Sequence, residues 1–496
     1  MEPNTGTLKR LVLGMAVSAA FGLSQSVAFG ADLETLLDKL HEKGVLSDEE
    51  YQEMRTEARV DRRAQALKQA QESEGKDKAR EAFPTQTQGK FKEGFTWESG
   101  DKTSSLSISG RAHADYRSFS PEALAASTFD MRRAYLTASG KMYDYVTFDI
   151  TGDIAQTTAP QMDVAWVNLA FNPSVQLRFG QFKMPFSIEE LTSSRFIDFQ
   201  ERSLINQFVP QKERGAMLWG TPTKGLVYGL ALSTGQGKNN NDAVSVKAKN
   251  DVIGRVAVNA AEIFDMKDWV LHLGAAYSEG TLPANFGLSQ RTEGRGVTFF
   301  NTANFSGDNV KRQRQGLEAA LAWGPVKLQG EILNVGYKGA VATESFDRSV
   351  DANYVEALWL VTGEHYADAY KAGAFGRIIP NSNFSLNGGG WGAFEVGVRV
   401  SQFDASDFTA GNTAGTGTLA GQTSTALTPQ LVTAVNKATA TTVGLKWILN
   451  PNFKFYLNYV NTKFDTDITV KPNYSNLPNA SASAEKAVTV RAALDF

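Results

Sequence analysis

The last ten residues of the chain alternate between an apolar and a largely polar face, which is the two-residue period of a β-strand. A soluble edge strand with so apolar a face would be prone to aggregation. A strand that closes a barrel in a membrane needs that face against lipid and a polar face toward the lumen. The pattern therefore predicts a membrane barrel. The apolar face would carry Val488, Val490, Ala492, Leu494 and Phe496, and the other face Thr489, Arg491, Ala493 and Asp495.

The same period begins near residue 103 and recurs to the end of the chain, with short and long connections in alternation. Short turns at one end and long loops at the other are typical of outer-membrane barrels. We predict an all-β, transmembrane, antiparallel β-barrel of about sixteen strands, an even number that leaves both ends on the same side. The strands are predicted at 103–118, 129–140, 143–152, 161–171, 174–183, 213–222, 225–234, 250–261, 268–279, 310–324, 325–337, 352–362, 389–403, 441–450, 453–464 and 486–496.

Either of two further segments would change the predicted number of strands by two if it crossed the membrane. The run 90–98 carries aromatic residues ahead of the predicted barrel, and the joint 363–388 is long for a connection at the short-turn end. The long connections at the opposite end include 184–212, 280–309, 404–440 and 465–485.

Strand parity also predicts which side chains face lipid. Tryptophan and tyrosine near strand ends are typical of the aromatic girdles at membrane interfaces. The candidates for lipid contact are Val396, Val398, Val400, Val443, Leu445, Trp447, Leu449, Phe453, Phe455 and Tyr459, and those for the girdles are Trp219, Tyr228, Trp269 and Trp323.

Residues 1–30 have the pattern of a secretory signal peptide. Lys9 and Arg10 precede an apolar stretch at 11–23, and small residues precede the expected cleavage after Gly30. The apolar stretch is shorter than the ~20 residues that a spanning helix needs. An exported chain that is rich in alternating strands is predicted to reside in an outer membrane of the Gram-negative type.

Residues 31–82 have a helical period, with leucines spaced for one helix face between residues 33 and 40. The apolar stripe is narrow and its flanks are charged, so this segment cannot bury a core alone. Two interpretations remain open, a short periplasmic coiled coil and a solvated periplasmic tether. A linker at 83–102 would join this segment to the barrel domain at 103–496.

The composition excludes several classes of function. The chain has no cysteine and a formal net charge of −3, which removes disulfide scaffolds and thiolate chemistry and argues against a nucleic-acid partner. The four histidines are widely scattered, and no zinc-protease, nucleophile-elbow or phosphate-cradling motif is present. We therefore expect no enzyme activity, no cofactor and no metal site.

Parity predicts eight basic and seven acidic side chains on the lumen wall, and residues 89–496 hold 38 basic and 38 acidic residues. A mixed polar wall is what any water-filled pore needs, so the overall charge does not establish a preference for anions. Local chemistry at a constriction would have to supply one. The basic wall residues are Arg111, Arg133, Arg178, Arg255, Lys327, Arg399, Lys446 and Arg491, and the acidic ones Asp115, Asp149, Glu318, Glu331, Glu356, Glu395 and Asp495.

The loop at 184–212 is a candidate constriction, because it is the third long loop of the predicted barrel. Ser193, Ser194 and Arg195 offer two hydroxyls and a planar cation, a combination that suits oxyanions. The same residues are also typical of an exposed surface turn, and the sequence alone leaves both interpretations open.

Seven short motifs occur in a fixed order along the barrel segment. Each is modest alone, but the ordered set resembles the phosphate-selective porin O and P family. The motifs are MRRAYL at 131–136, DVAWV at 163–167, RFGQFK at 178–183, EELTSSR at 189–195, QERS at 200–203, LVTGE at 360–364 and FGRIIP at 375–380.

This resemblance implies a sixteen-stranded, homotrimeric barrel whose third loop folds inward. It also implies a central anion site, carried over by position to Arg132, Arg133, Asp163, Ser193 and Ser194, with Arg195 at a position that is basic in the family. Two consecutive arginines cannot both face inward in a regular strand, so we expect a bulge or a strand end at Arg132 and Arg133.

One position departs from the family pattern. The loop lysine that helps to hold phosphate in the phosphate-transporting members aligns with Glu190. A carboxylate repels a dianion, whereas a lysine attracts it. At ~4 Å with an effective dielectric of 20, this exchange changes the interaction energy of each pair of unit charges by several kcal/mol. We therefore expect weaker phosphate specificity at an otherwise similar pore.

These observations predict an outer-membrane porin through which small hydrophilic solutes diffuse passively, in particular anions including phosphate. The alternatives are a weakly selective general-diffusion porin and a structural outer-membrane protein tethered in the periplasm. The expected partners are outer-membrane lipid, small anionic solutes and further copies of the chain in a homotrimer.

Overall fold

The chain forms a closed antiparallel β-barrel of sixteen strands, in which each strand pairs with the next and the last pairs with the first. The computed structural model describes residues 42, 48, 51, 52, 56, 88–91, 94–155, 159–239, 250–282, 286–302, 310–341, 344–408, 435–470 and 480–496.

All sixteen predicted strands are present, with ends that shift by a few residues and extend furthest toward the long loops. The barrel strands are β3 (Ser105–Ser120), β4 (Thr128–Met142), β5 (Val146–Asp153), β6 (Gln161–Asn172), β7 (Val175–Lys183), β8 (Lys212–Thr223), β9 (Leu226–Ser233), β10 (Asp251–Asn259), β11 (Trp269–Thr281), β14 (Lys311–Trp323), β15 (Val326–Val341), β16 (Glu344–Leu360), β19 (Ala393–Asp404), β20 (Lys437–Asn450), β21 (Phe453–Val470) and β22 (Ala480–Asp495). Three short hairpins lie outside this count, β1 (Gln88–Phe91) with β2 (Phe95–Glu98), β12 (Ser289–Arg291) with β13 (Thr298–Asn301), and β17 (Tyr370–Lys371) with β18 (Ala374–Phe375).

The barrel closes between β22 and β3, from Lys486 opposite Ser120 to Asp495 opposite Arg111. The β1–β2 hairpin pairs with β3 at residues 105–108, just beyond the point where β22 ends. This hairpin lies within the segment 83–102, where we predicted a linker, and it extends the sheet. It does not change the number of strands in the barrel.

The N-terminal predictions lie largely outside the described residues. Of the segment 31–82, the structure describes Glu42, Asp48, Tyr51, Gln52 and Thr56, each of them helical. The signal peptide and the choice between coiled coil and tether therefore stay predictions. In the described part of the chain, no helix has the length and apolar character that a membrane crossing requires.

Alternation along each strand separates an apolar outside from a polar inside, as predicted. Val488 and Leu494 of β22 are exposed on the outer surface, whereas Arg491 and Asp495 are buried inside. Trp269 and Trp323 stack on each other, 5.6 Å between ring centroids, and Trp323 is exposed, as a girdle position requires. Trp219 was predicted in a girdle, and this is wrong, because its ring lines the interior.

Three connections fold into the barrel and fill part of its lumen. Loop 3 (184–211) and loop 5, described over 286–302, enter from the long-loop end, and the long turn (361–392) enters from the other end. Loop 3 contains α1 (Ile188–Leu191) and a 3-10 helix (Leu204–Gln207), and the long turn contains α3 (Tyr366–Ala369). A further turn, α2 (Ala260–Ile263), joins β10 to β11. The length of the joint at 363–388 thus reflects an inward fold and not a missed pair of strands.

Wall glycines make room for loop 3. A Cβ on Gly316 would lie 2.7 Å from the ring of Phe186, and one on Gly229 would lie 2.7 Å from Pro185. A Cβ on Gly444 would lie 2.8 Å from the ring of Phe199. Since real Cβ atoms do not approach other carbons so closely, side chains at these positions would push the loop off the wall.

Gly316→Ala is expected to destabilise the folded barrel, because the new methyl group overlaps Phe186 and overpacking typically costs about 1–3 kcal/mol. The temperature at which the folded barrel loses its compact migration in detergent gels measures this change. Gly336→Ala in the adjacent strand is the matched control, since a Cβ there meets nothing within 4 Å. Equal melting of the two variants would contradict this view of how loop 3 is seated.

Candidate functional site

Loop 3 and the facing barrel wall enclose a cavity of about 990 Å³. Among the described residues its lining is strongly cationic, with twelve basic and five acidic side chains. The basic side chains are Arg111, Arg132, Arg133, Arg178, Lys183, Arg195, Arg202, Lys212, Lys238, Arg255, Arg291 and Arg295, and the acidic ones Asp149, Asp163, Glu190, Glu201 and Glu293.

This excess of positive charge arises although the wall itself is balanced. Six of the seven wall acids predicted by parity do not line the cavity; Asp149 alone of that set does. The other six lie behind the inward loops, where most pair with wall cations: Asp115 with Arg491 at 2.7 Å and Glu395 with Lys446 at 2.6 Å are examples. The neutral wall is therefore divided into a paired part and a cationic part that faces the cavity.

Arg132 and Arg133 both reach the cavity because β4 carries the expected bulge. His113 of β3 pairs with Arg133 while Ala114 pairs with Met131, so Arg132 is the extra residue. Arg132 Nε lies 2.8 Å from Glu201 Oε1, in loop 3. Arg133 is buried, and its Nη1 has no hydrogen-bond partner among the described residues.

Asp163 is placed by a similar bulge in β6, where the register shifts between Thr151 and Gly152 of the neighbouring strand. Lys212 Nζ donates to both of its carboxylate oxygens at 2.6 Å, and Lys238 Nζ lies 3.5 Å away. The carboxylate of Asp163 therefore positions the ammonium groups of Lys212 and Lys238 at the cavity. The sequence analysis missed both lysines, which come from the start of β8 and from the loop after β9.

The serine pair of loop 3 faces the cavity together with Arg195. Arg111 Nη1 donates to Ser194 Oγ at 2.5 Å, and the guanidinium stacks 4.5 Å from the centroid of the Tyr135 ring. The amide of Arg195 donates to Ser193 Oγ at 3.3 Å. Two hydroxyls and several planar cations thus converge, which is the donor set that oxyanions require.

Glu190 lines the cavity but is enclosed by donors of opposite charge. Its carboxylate oxygens lie 3.8 Å from Lys183 Nζ and 3.5 Å from Arg202 Nε, and one accepts from Asn206 Nδ2 at 2.8 Å. Burial raises the pKa of Glu190, but Arg202 and Lys183 outweigh it, so the pKa lies below its ordinary value. The expected repulsion of anions is therefore offset by two cations close to the carboxylate.

The remaining predicted wall cations fall into two groups. Arg178 and Arg255 line the cavity, and Arg255 Nε also donates to Glu318 at 2.9 Å. The others are buried in ion pairs behind the loops and do not reach the cavity. These pairs are Lys327 with Asp198 at 2.8 Å, Arg399 with Glu189 at 3.2 Å, Arg491 with Glu201 at 2.9 Å and Lys446 with Glu395 at 2.6 Å.

Loop 5 supplies cations that the sequence analysis did not single out. Arg291 and Arg295 line the cavity. Loop 5 is held by Glu293, which pairs with Arg399 at 2.8 Å and accepts from Thr442 at 2.7 Å. Among the described residues, no cluster of three or more histidine, aspartate or glutamate side chains has the geometry of a metal site.

A family model described as phosphate-selective porin O and P matches residues 106–496. The chain belongs to the phosphate-selective porin O and P family. Porin O of Pseudomonas aeruginosa is 26% identical over 411 residues, which cover 76% of this chain and 87% of that protein. Membership of this porin family places the chain in the outer membrane and in a class of channels.

Solved structures resemble this member of the porin O and P family in their fold. An anion-selective porin from Comamonas acidovorans has 13% identity and a TM-score of 0.47, with 79% of this chain and 100% of that chain covered. The outer membrane channel DcaP of Acinetobacter baumannii has 11% identity and a TM-score of 0.48, with 82% and 100% covered. The family assignment rests on the sequence match and not on these structures.

The enclosure of Glu190 predicts how this porin responds to pH. Because its pKa in the folded protein is below that of the unfolded chain, about 4.3, the interaction stabilises loop 3 fully above that value. The stabilisation is lost as the pH falls through the lower, folded pKa. The contribution of Glu190 to thermal stability should therefore stay constant from pH 7 to pH 5 and decline below about pH 4.

Glu190→Gln is the control for this pH profile, since it cannot titrate. The difference in melting temperature between wild type and variant, measured across the pH range, isolates the contribution of the carboxylate. A difference that changed mainly between pH 7 and pH 5 would contradict the low pKa of Glu190.

Proposed function

We propose that the chain is a passive outer-membrane channel for small hydrophilic anions, phosphate included. The observation that carries this proposal is the cationic lining of the cavity, twelve basic against five acidic side chains. A pore lined by one sign of charge raises the local concentration of the opposite ion and lowers that of the like ion. The family of the chain supports the same direction of selectivity.

The proposed path of an anion uses the donors around loop 3. Arg111, Arg132, Arg133 and Arg195 would replace the water that the anion loses on entry, and Ser193 and Ser194 are hydroxyl donors close to them. Asp163 would weaken binding so that the anion can leave, because conduction requires a site that is neither empty nor permanently filled.

The degree of phosphate specificity depends on Glu190. Lys183 and Arg202 reduce the repulsion between Glu190 and a dianion. Because both cations interact with this carboxylate, their own attraction for an anion is also reduced. We therefore propose a site that holds phosphate less firmly than one with a lysine at this position. A weakly selective general-diffusion porin is the second candidate, and the same carboxylate favours it.

We further propose that the channel is a homotrimer in outer-membrane lipid. The resemblance to the family supports the trimer, and the exposed apolar residues of the outer wall suit contact with lipid or with neighbouring barrels. Molar mass in detergent, measured by light scattering, tests this proposal; a monomer would refute it.

Reversal potentials in planar bilayers under a potassium chloride gradient test the proposed selectivity. We expect a potential of the sign given by a chloride-permeable pore, and a reduction of chloride current when phosphate is added. A cation-selective pore would overturn the proposal. An anion-selective pore that phosphate does not block would leave the general-diffusion porin.

Arg111→Gln should lower anion selectivity and weaken phosphate block by roughly threefold, because it removes one unit charge from the cavity lining, and two unit charges ~7 Å apart in water interact by ~0.6 kcal/mol. Block of chloride current by phosphate in planar bilayers measures the effect. Lys338→Gln removes the same charge from an exposed ion pair with Asp347 outside the cavity and serves as the control. Equal effects of the two substitutions would show that position in the cavity does not matter.

Glu190→Gln should strengthen phosphate block by a similar factor, about threefold, because it adds one unit of positive charge to the cavity. The concentration of phosphate that halves the chloride current is the quantity to compare with wild type. Unchanged or weaker block would show that the charge of Glu190 does not act on the ion path.

A further inference from the structure

We propose that the cavity contains a second subsite, centred on Arg178, for organic anions that carry an aromatic or other apolar body. It lies on the wall formed by β6, β7 and β8, apart from the serine pair of loop 3. This inference rests on the proposed function, since the ligand must enter the same anion-permeable cavity.

The first observation is the way in which Arg178 is held. Its guanidinium carbon lies 4.2 Å from the ring centroid of Trp166 and 4.9 Å from that of Trp219. Stacking on indole rings orients a guanidinium and covers its faces, so its in-plane N–H groups remain for hydrogen bonds. Those edges match the two oxygens of a carboxylate.

The indole of Trp219 is itself fixed. Its Nε1 donates to Asn168 Oδ1 at 2.7 Å, and Asn168 Nδ2 donates to Gln176 Oε1 at 3.0 Å. This chain of hydrogen bonds orients the ring before any ligand arrives. The subsite is therefore preorganised, which lowers the entropy that binding would cost.

The second observation is that Arg178 forms no direct ion pair in the described part of the protein, although the more distant Asp149 carboxylate acts on it electrostatically. No described carboxylate lies within ion-pair distance of its guanidinium, and its Nε is buried without a hydrogen-bond partner. Arg255 differs, because it pairs with Glu318. Arg178 is half-buried and unpaired, and a partly desolvated cation of this kind is a favourable position for a ligand carboxylate.

The third observation is the apolar wall beside Arg178. Met217 is its cross-strand partner on β8, and the ring of Phe182 lies 5.8 Å from the guanidinium carbon. Pro185 and Met217 meet over Gly229, where a Cβ would be 2.7 Å from Pro185 and 3.6 Å from the sulfur of Met217. Phe182 and Met217 are almost fully buried behind Trp166 and Trp219, whose half-buried rings present the apolar surface to the cavity.

The wall formed by β3, β4 and β5 has a different character. Ser107, Ser109, Thr137, Ser139 and Thr151 line the cavity there, and they suit a fully hydrated inorganic oxyanion. A ring or an aliphatic chain would gain nothing against those hydroxyls. Against the half-buried rings of Trp166 and Trp219 the same apolar body is removed from water, so the two regions favour different anions.

Block of chloride current by benzoate and by acetate, compared in planar bilayers, tests the subsite. The two anions share a carboxylate and differ in the ring. In the wild-type channel we expect benzoate to block at a concentration about fivefold lower than acetate, as an aromatic contact of ordinary strength would produce. Equal block by the two anions overturns the proposal.

Two variants locate the benzoate preference. Arg178→Lys keeps the charge but loses the planar fork, and Trp219→Leu removes one stacking face; each should reduce the preference to about twofold or less. Trp323→Leu changes an exposed tryptophan on the outer wall and is the matched control. A preference that survives both inner substitutions overturns the proposal, provided that the variants keep the compact migration of the folded barrel.

Phosphate block in the same wild-type membranes separates this inference from the proposed function. If benzoate is preferred through Arg178 and phosphate does not block, the subsite stands and the phosphate proposal fails. If phosphate blocks and benzoate behaves as acetate does, the proposed function stands and the subsite is refuted.

Discussion

The pairing of wall cations with loop 3 acids is the constraint on which the pore depends. Lys327 holds Asp198, Arg399 holds Glu189, and Arg491 holds Glu201, and all three contacts are buried or nearly so. Removing one partner of such a pair typically costs about 3–5 kcal/mol, because the other charge is left without compensation. With these acids engaged, the loop lies against one side of the barrel, and the cations on the opposite side are left facing the cavity.

Much of the barrel could be predicted from the sequence because a membrane strand must present an apolar face to lipid at every second residue. That period located all sixteen strands and placed Arg491 and Val488 on opposite faces. It could not tell Trp219 from a girdle residue, since an aromatic ring near a strand end satisfies either side of the wall. The bulge at Arg132 was predictable because two inward arginines in succession are incompatible with a regular strand.

The site was less predictable, because parity gives the face of a residue and not its partner. Arg399 and Arg178 both face inward, yet one is buried against Glu189 and the other lines the cavity. The difference depends on where residues distant in sequence, in loops 3 and 5, come to lie. The same limit applies to Glu190. The sequence shows that Lys183 and Arg202 are close along the chain, but it does not give their distances from the carboxylate.

The division of the lumen cations into buried anchors and cavity-lining groups has a consequence for ionic strength. Salt reduces the Debye length from about 10 Å at 0.1 M to about 3 Å at 1 M, but it acts little on charges from which water is excluded. Lys327 and Arg399 are almost fully buried, so they should hold loop 3 equally well in dilute and concentrated solution. Arg132 and Lys238 are partly exposed in the cavity and would be screened. The width of the pore and its preference for anions therefore depend on different cations. Concentrated salt would leave the width unchanged and suppress the preference for anions.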